Sequence, residues 1–338
     1  MSLELNGKFV KGPIRWGILG CGDVTEIKSG PGFSKAEGSS ITACMRRDGK
    51  KAEDYAKRHN IPHWYDNADE LINDPDVDAV YIATPPAYHK EYTLKSAAAG
   101  KPVYVEKPMA MNAGEVEEMI AACRNFDIPL FVAFYRRRLP VFVKIKELVT
   151  SGAIGTVRSM SVVLKKSVSE DFKDRENLPW RVIPSISGGG IFVDMGSHQL
   201  DILDWILGPI AEVRGFAVNR ADLYKVEDGI VAALHFESGV IGTGLWDFTV
   251  SPVAEEDHVE ITGDKGRLIF STFDNQHILL ESETGRKEWD LPHPPHVEQP
   301  LIQSIVDELH GKDVCPSTGE TALRTTRIMD TLLKDYYR

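Results

Sequence analysis

Between residues 14 and about 135, short apolar runs alternate with amphipathic stretches, the pattern of βαβ units feeding a parallel sheet. Strands are predicted over 14–19, 41–45, 77–83, 103–106 and 130–133, and helices over 50–59, 89–99 and 113–125, the second stopped by Gly100 and Pro102. From residue 157 the rhythm changes to successive strand-like runs with period two: 157–164, 213–218, 229–236, 240–248, 258–262, 267–271 and 277–281. Glycine-bearing turns at 237–239, 263–266 and 284–285 join them as hairpins, so a mostly antiparallel sheet follows the parallel one. A helix over 139–151 opens this second part, and helical patterns over 300–310 and 320–337 close the chain. The expected architecture is α/β: an N-terminal Rossmann-type parallel sheet over 1–135, then a C-terminal α+β domain with a large, mostly antiparallel sheet over 136–338.

Composition narrows the function classes. With 338 residues and 42% hydrophobic positions the chain buries one or two cores, and ordinary domain size favours two. A net charge of −11 leaves no basic field for nucleic acid or anionic membranes. No run approaches the ~18 apolar residues of a spanning helix, and residues 1–12 lack the apolar core of a secretory signal, so a cytoplasmic location is expected. Cys21, Cys44, Cys123 and Cys315 show no CxxC spacing, against a disulfide framework or a zinc cluster.

Chemistry enters first at Gly17, Gly20 and Gly22, directly after the first predicted strand and before a helix, the context of a dinucleotide loop. Gly20 permits the tight turn, and Gly22 lets backbone N–H groups approach a pyrophosphate. Thr25 stands where a third small residue is usual, and the Ser29-Gly-Pro-Gly32 stretch is expected to break the first helix early. Cofactor contacts are assigned to Gly20, Cys21, Gly22, Asp23 and Val24. The second strand ends in Arg46-Arg47-Asp48, where an acidic residue would hold the ribose of NAD; the arginine pair offers planar donors to a 2′-phosphate, so NADP(H) is favoured and NAD(H) is the alternative. Thr84 and Pro85, stiffened by a proline pair, with His89 in the next helix, form a further candidate wall for the cofactor.

Glu106-Lys107-Pro108 ends a strand-like run, placing an ammonium at a strand's carboxyl end, where open α/β sheets bind ligands. A glycine triplet, residues 188–190, precedes Asp194, His198 and Asp201, whose spacing predicts that all three share one helix face in an otherwise apolar segment. A metal pair is the competing reading, but no third ligand is evident, and a proton-transfer pair is preferred. Trp180 and Arg181 lie in the long loop over 167–187, and Tyr135 with Arg136 at the expected seam; each is either ligand-facing or structural.

Taken together, the glycine loop, Thr84-Pro85 with His89, Glu106-Lys107-Pro108, Trp180-Arg181 and the 188–201 segment resemble the glucose-fructose oxidoreductase, inositol dehydrogenase and rhizopine-catabolism (Gfo/Idh/MocA) family. The resemblance implies a nicotinamide cofactor, a sugar, polyol or related carbohydrate substrate, and a homodimer or homotetramer built on the C-terminal sheet. It also implies Lys107, Asp194 and His198 as the catalytic set, Tyr135 and Glu106 beside the cofactor, and Lys107, Arg136, Trp180, Arg181, Asp194 and His198 about the substrate. Two other outcomes stay open: net NAD-dependent glycoside hydrolysis, known in the same family, and a non-catalytic cofactor sensor.

Overall fold

The computed structural model describes residues 12–337 and divides into two compact units, the first holding residues up to Arg138 together with Pro294–Leu323, the second Leu139–His293 with the chain from Arg324. The single split after residue 135 is thereby corrected. Chain beyond the second sheet returns to the first unit, where Ser317 Oγ donates to Val132 O at 2.7 Å and Arg137 to Pro316 O at 2.7 Å. Those are backbone partners that sequence periodicity does not encode.

The first unit runs β1 (Ile14–Leu19), α1 (Asp23–Ile27), α2 (Ser29–Lys35), β2 (Ser39–Met45), α3 (Gly49–His59), β3 (His63–Tyr65), α4 (Ala68–Asn73), β4 (Ala79–Ile82), α5 (His89–Ala98), β5 (Val103–Val105), α6 (Ala113–Asn125) and β6 (Leu130–Val132). All six strands are parallel in the order β3-β2-β1-β4-β5-β6, so the order reverses between β1 and β4, the switch point at which such sheets bind ligands. Period-two alternation sorts the side chains. Val80, Ile82, Val103 and Val105 enter an aliphatic core with Leu71, Val116 and Met119, while Tyr81 and Tyr104 stack at 4.9 Å on the other face, where Phe33 covers them.

The Ser29-Gly-Pro-Gly32 stretch does not end the first helix for good: after a kink at Lys28 it forms α2. Pro31 lies in that helix's first turn, where its missing N–H costs nothing, and Gly30 is required because a Cβ there would lie 2.1 Å from Thr25 O.

The second unit comprises α7 (Pro140–Thr150), β7 (Val157–Ser167), α8 (Pro184–Ser187), α9 (Ser197–Leu207), β8 (Ile210–Val218), β9 (Gly229–Phe236), β10 (Ile241–Val250), β11 (Glu256–Gly263), β12 (Gly266–Phe270), β13 (His277–Ser282) and β14 (Gly285–Asp290). Its eight-stranded sheet, ordered β14-β13-β12-β11-β7-β10-β9-β8, is antiparallel except for the β7–β10 pair, as expected. α10 (Gln299–Leu309) belongs to the first unit, and α11 (Gly319–Leu333) contributes residues to both. Arg324 of α11 holds the buried Asp204 of α9 through both carboxylate oxygens, the closer at 2.6 Å, fixing the helix that carries His198. Among the described residues no helix is long and apolar enough to cross a membrane.

Candidate functional site

In the first unit the loop after β1 is built by backbone. Gly20, at φ +90°, turns the chain so that the N–H groups of Gly20 and Cys21 both reach Met45 O, at 2.9 and 3.2 Å, pinning the loop to the end of β2. A Cβ at Gly20 would lie 2.9 Å from Thr84 Cγ2 and 3.0 Å from Ala83 C, so the loop and the end of β4 touch through the glycine. Thr25 is not a flaw in the motif: its hydroxyl accepts from Gly22 N at 3.0 Å and donates to Gly22 O at 2.8 Å, closing the helix start as a cap. Gly22 itself meets nothing closer than Gly20 O at 3.9 Å on its Cβ side, and the first-turn N–H groups of Asp23 and Val24 precede any intrahelical acceptor. That open backbone cradle fits the diphosphate of a dinucleotide.

Cys21 departs from expectation. Its side chain is fully buried and its thiol donates to Met45 O at 3.4 Å, so it shapes the loop rather than lining it. Its carbonyl accepts from Arg46 Nη1 at 3.3 Å. Arg46 and Arg47 are exposed past β2, the Arg47 guanidinium 5.3 Å from the Tyr88 ring centroid. Asp48 caps α3, accepting from Lys50 N and Lys51 N at 3.2 and 3.3 Å.

Thr84 and Pro85 are partly exposed just past β4, but His89 is corrected: it is fully buried, with Nε2 2.6 Å from Thr84 O and Nδ1 3.1 and 3.2 Å from Pro108 O and Met109 O. No ring nitrogen is left for a ligand. His89 instead ties the end of β4 to the chain just after Lys107. Glu106 accepts from Tyr81 Oη at 2.7 Å and from Lys107 N at 3.1 Å, and burial raises its pKa against the pull of Lys107. Glu298, buried at the start of α10, is pushed well above the carboxylate range by burial and then by Glu106, so the two carboxyls disfavour double ionisation. Lys107, partly exposed, follows β5 as expected, and its ammonium, together with that of Lys28, opposes the upward shift of this carboxyl pair. Tyr135 and Arg136 are buried rather than a solvated run, the guanidinium 5.0 Å from the Tyr135 ring.

In the second unit Trp180 and Arg181 lie on a short 3₁₀ turn, the guanidinium 4.7 Å from the indole, and Arg181 Nε is 3.4 Å from Asp194 Oδ2. Asp194 and His198 do not share one regular helix. Residues Phe192–Gly196 form a π-helical turn and only Ser197–Leu207 is α-helical, a wider turn of the kind found at functional sites. His198 is 4% exposed, with the Phe273 ring edge-on at 6.0 Å.

Several supporting residues were invisible to spacing arguments. Gln199 accepts from Trp246 Nε1 at 2.7 Å and donates to Thr272 Oγ1 at 3.2 Å; Asp257 accepts from Phe273 N at 2.5 Å, holding the aromatic that faces His198. Glu227 accepts from Gly190 N at 2.8 Å, and burial pushes its pKa up to about 7. Ligand-type atoms of His63, Asp74 and Asp76 fall within 4.8 Å of one another, but Asp76 is paired with Arg15 at 2.7 Å, and neither Asp194 nor His198 belongs to the group.

Comparison with known proteins agrees with both units. Residues 14–134 match the oxidoreductase family with an NAD-binding Rossmann fold, and residues 142–269 match the GFO/IDH/MocA C-terminal domain. An oxidoreductase P35 of Formosa agariphila is 36% identical over 94% of this chain and 97% of its own. A trans-1,2-dihydrobenzene-1,2-diol dehydrogenase of Bos taurus is 29% identical over 84% of this chain and 82% of its own. The crystal structure of aldose-aldose oxidoreductase from Caulobacter crescentus, complexed with glycerol, superposes with a TM-score of 0.85 at 25% identity, covering 96% of this chain and 98% of that one. A glycine cradle at the switch point of a Rossmann sheet, the two domain matches in order and a full-length relative converge: the chain belongs to the GFO/IDH/MocA family and is an NAD(P)-dependent oxidoreductase.

Proposed function

We propose that this oxidoreductase transfers hydride between NADP(H) and a secondary hydroxyl or carbonyl of a sugar, polyol or related carbohydrate. The observation that carries the reading is the second unit's constellation: a buried imidazole, His198, following a π-helical turn whose Asp194 is paired with Arg181. The similar proteins act on CH–OH groups by name, an aldose in one and a cyclic diol in the other, which fits a polyhydroxylated substrate.

When bound, the nicotinamide supplies the hydride acceptor or donor. In the oxidative direction His198 takes the hydroxyl proton, and Lys107 donates a hydrogen bond to the developing alkoxide; reduction reverses both roles. Asp194 and Arg181 orient neighbouring hydroxyls of the substrate, with Trp180 and Arg136 as further contacts. Arg46 and Arg47 favour NADP(H), because both guanidinium groups are exposed at the end of β2 while Asp48, the residue that would hold a free ribose, is engaged in capping α3.

Self-association is assigned to the outward face of the second sheet. Phe216, Val231 and Leu245 lie side by side across β8, β9 and β10, 76%, 47% and 36% exposed. A groove of about 650 Å³ opens on the same sheet, lined in part by Ala233, His235, Ile241 and Thr243.

A parallel screen of sugars, inositols and keto-sugars, following the reduced nicotinamide with NADP(H) and with NAD(H), tests the activity. Turnover of at least one polyhydroxylated substrate is expected, with Lys107→Ala and His198→Ala each losing ~10²–10⁴-fold in kcat while retaining cofactor affinity. No turnover across the panel in either direction overturns the reading.

A further inference from the structure

The glycine triplet that precedes Asp194 is held by a carboxylate from elsewhere in the second unit. Glu227 lies between β8 and β9 and is fully buried. Its Oε1 accepts from Gly190 N at 2.8 Å, and its Oε2 accepts from Tyr337 Oη at 2.5 Å. Gly190 is the peptide on which the next turn is founded, because its carbonyl accepts from Val193 N at 3.1 Å and from Asp194 N at 3.4 Å. The approach is too close for a side chain: a Cβ on Gly190 would lie 2.5 Å from Glu227 O and 3.0 Å from its carboxyl carbon, and one on Gly189 would lie 2.3 Å from Val193 Cγ2. A chain of contacts therefore runs from Tyr337 through Glu227 to Gly190 and on to the π-helical turn with Asp194, which leads directly into His198.

We infer that Glu227 is a positioning residue for Asp194 and His198, and that the Tyr337 hydroxyl completes it. The inference rests on the proposed roles of those two residues. A buried carboxylate that spends both oxygens on donors from separate segments fixes their separation, and catalytic geometry is sensitive to displacements well below a side chain's length. In this chain of contacts Glu227 reaches Asp194 through the backbone of residues 190–194. The requirement is an acceptor facing Gly190 and a partner facing Tyr337, not a charge as such. Glutamine supplies both: its amide oxygen accepts from Gly190, and its amide nitrogen donates to the tyrosine oxygen.

The test uses the full chain and the sugar or polyol that turns over fastest in the screen, with hydrogen exchange of the amides over 189–194 as a readout that needs no substrate. Glu227→Ala is expected to lower kcat by about 10²-fold with KM within about two-fold of wild type, and to speed exchange over 189–194. Glu227→Gln is expected to restore kcat to within about five-fold. Tyr337→Phe, which keeps Gly190 satisfied, is expected to fall between the two, and it carries the test should Glu227→Ala fail to fold. Wild-type kcat or wild-type exchange in Tyr337→Phe and Glu227→Ala overturns the inference, as does a loss that glutamine leaves unrepaired. His198→Ala, measured alongside, separates the causes: its own wild-type turnover would strike down the proposed function, whereas its inactivity beside an unaffected Glu227→Ala strikes down the positioning role alone.

Discussion

His89 shows how one buried side chain ties two functional loops together. Burial pushes its pKa down to about 4, although the carbonyl oxygens at both nitrogens oppose the shift. With a folded pKa below the ordinary value near 6.5, the unfolded chain binds the extra proton first as the solution acidifies. Stability that His89 contributes is therefore complete above pH 6.5 and is lost as the pH falls towards 4, by at most about 3 kcal/mol. Thermal melts of wild type and His89→Gln across that window should converge as the pH falls, wild type losing the more; parallel curves would show that this ring does not titrate there. Arg46 and Arg47 are a second residue-level test. Each exposed guanidinium offers a fork to a 2′-phosphate but little to a bare ribose, so Arg46→Ala with Arg47→Ala should weaken NADPH binding by about tenfold or more and leave NADH binding within about two-fold. Equal losses for both cofactors, read by fluorescence titration, would remove the basis for an NADP preference.

Strands β9 and β10 largely alternate buried and exposed positions, β8 is mostly exposed, and the exposed set of the three includes Phe216, Val231, Ile241 and Leu245, more apolar surface than a solvated face ordinarily carries. If that face meets a second copy of the chain, Phe216→Asp combined with Ile241→Asp should shift light-scattering mass towards the monomer while leaving cofactor binding intact; an unchanged mass would place any assembly elsewhere. The long hairpins of this sheet were legible because one side of each is buried, so the apolar residues fall on every second position. Several other elements were not, among them β14, β3 and α4. β14, with Arg286, Lys287, Glu288 and Asp290, is an exposed edge strand whose charges discourage further pairing and erase the alternation. β3 has only three residues at the other sheet's edge, and α4 only six, too short for a period to register. The same distinction governs the sites. Lys107, Asp194 and His198 stood out because local spacing carries them, whereas Glu227 reaches Gly190 and Asp257 reaches Phe273 across separations that no local pattern records. The side chains of Cys21 and His89 are buried behind the loops to which their sequence positions assign them, since position along the chain does not record which way a side chain faces.

On the scale of the whole molecule the two units divide the labour differently from the order of the chain. The dinucleotide unit is completed by residues 294–323, which return after the second sheet: Thr318 bridges to Phe131, and Gln303 exchanges hydrogen bonds with Glu37 through N–H to Oε1 at 2.7 Å and Nε2 to carbonyl at 3.2 Å. The second unit is completed in turn by the chain from Arg324, through Asp204 and Glu227. Each proposed catalytic group therefore sits in a unit completed by chain that follows the second sheet. If Lys107 and His198 act as one coupled unit on the same substrate oxygen, stripping either removes most of what the pair supplies, and their losses do not multiply. Lys107→Ala/His198→Ala should then lose little more kcat than the worse single variant, within about tenfold of it, when all four members of the cycle are compared at saturating cofactor. A double variant whose loss equals the product of the two single losses would mean that the two groups act on the rate independently, and would overturn their coupling.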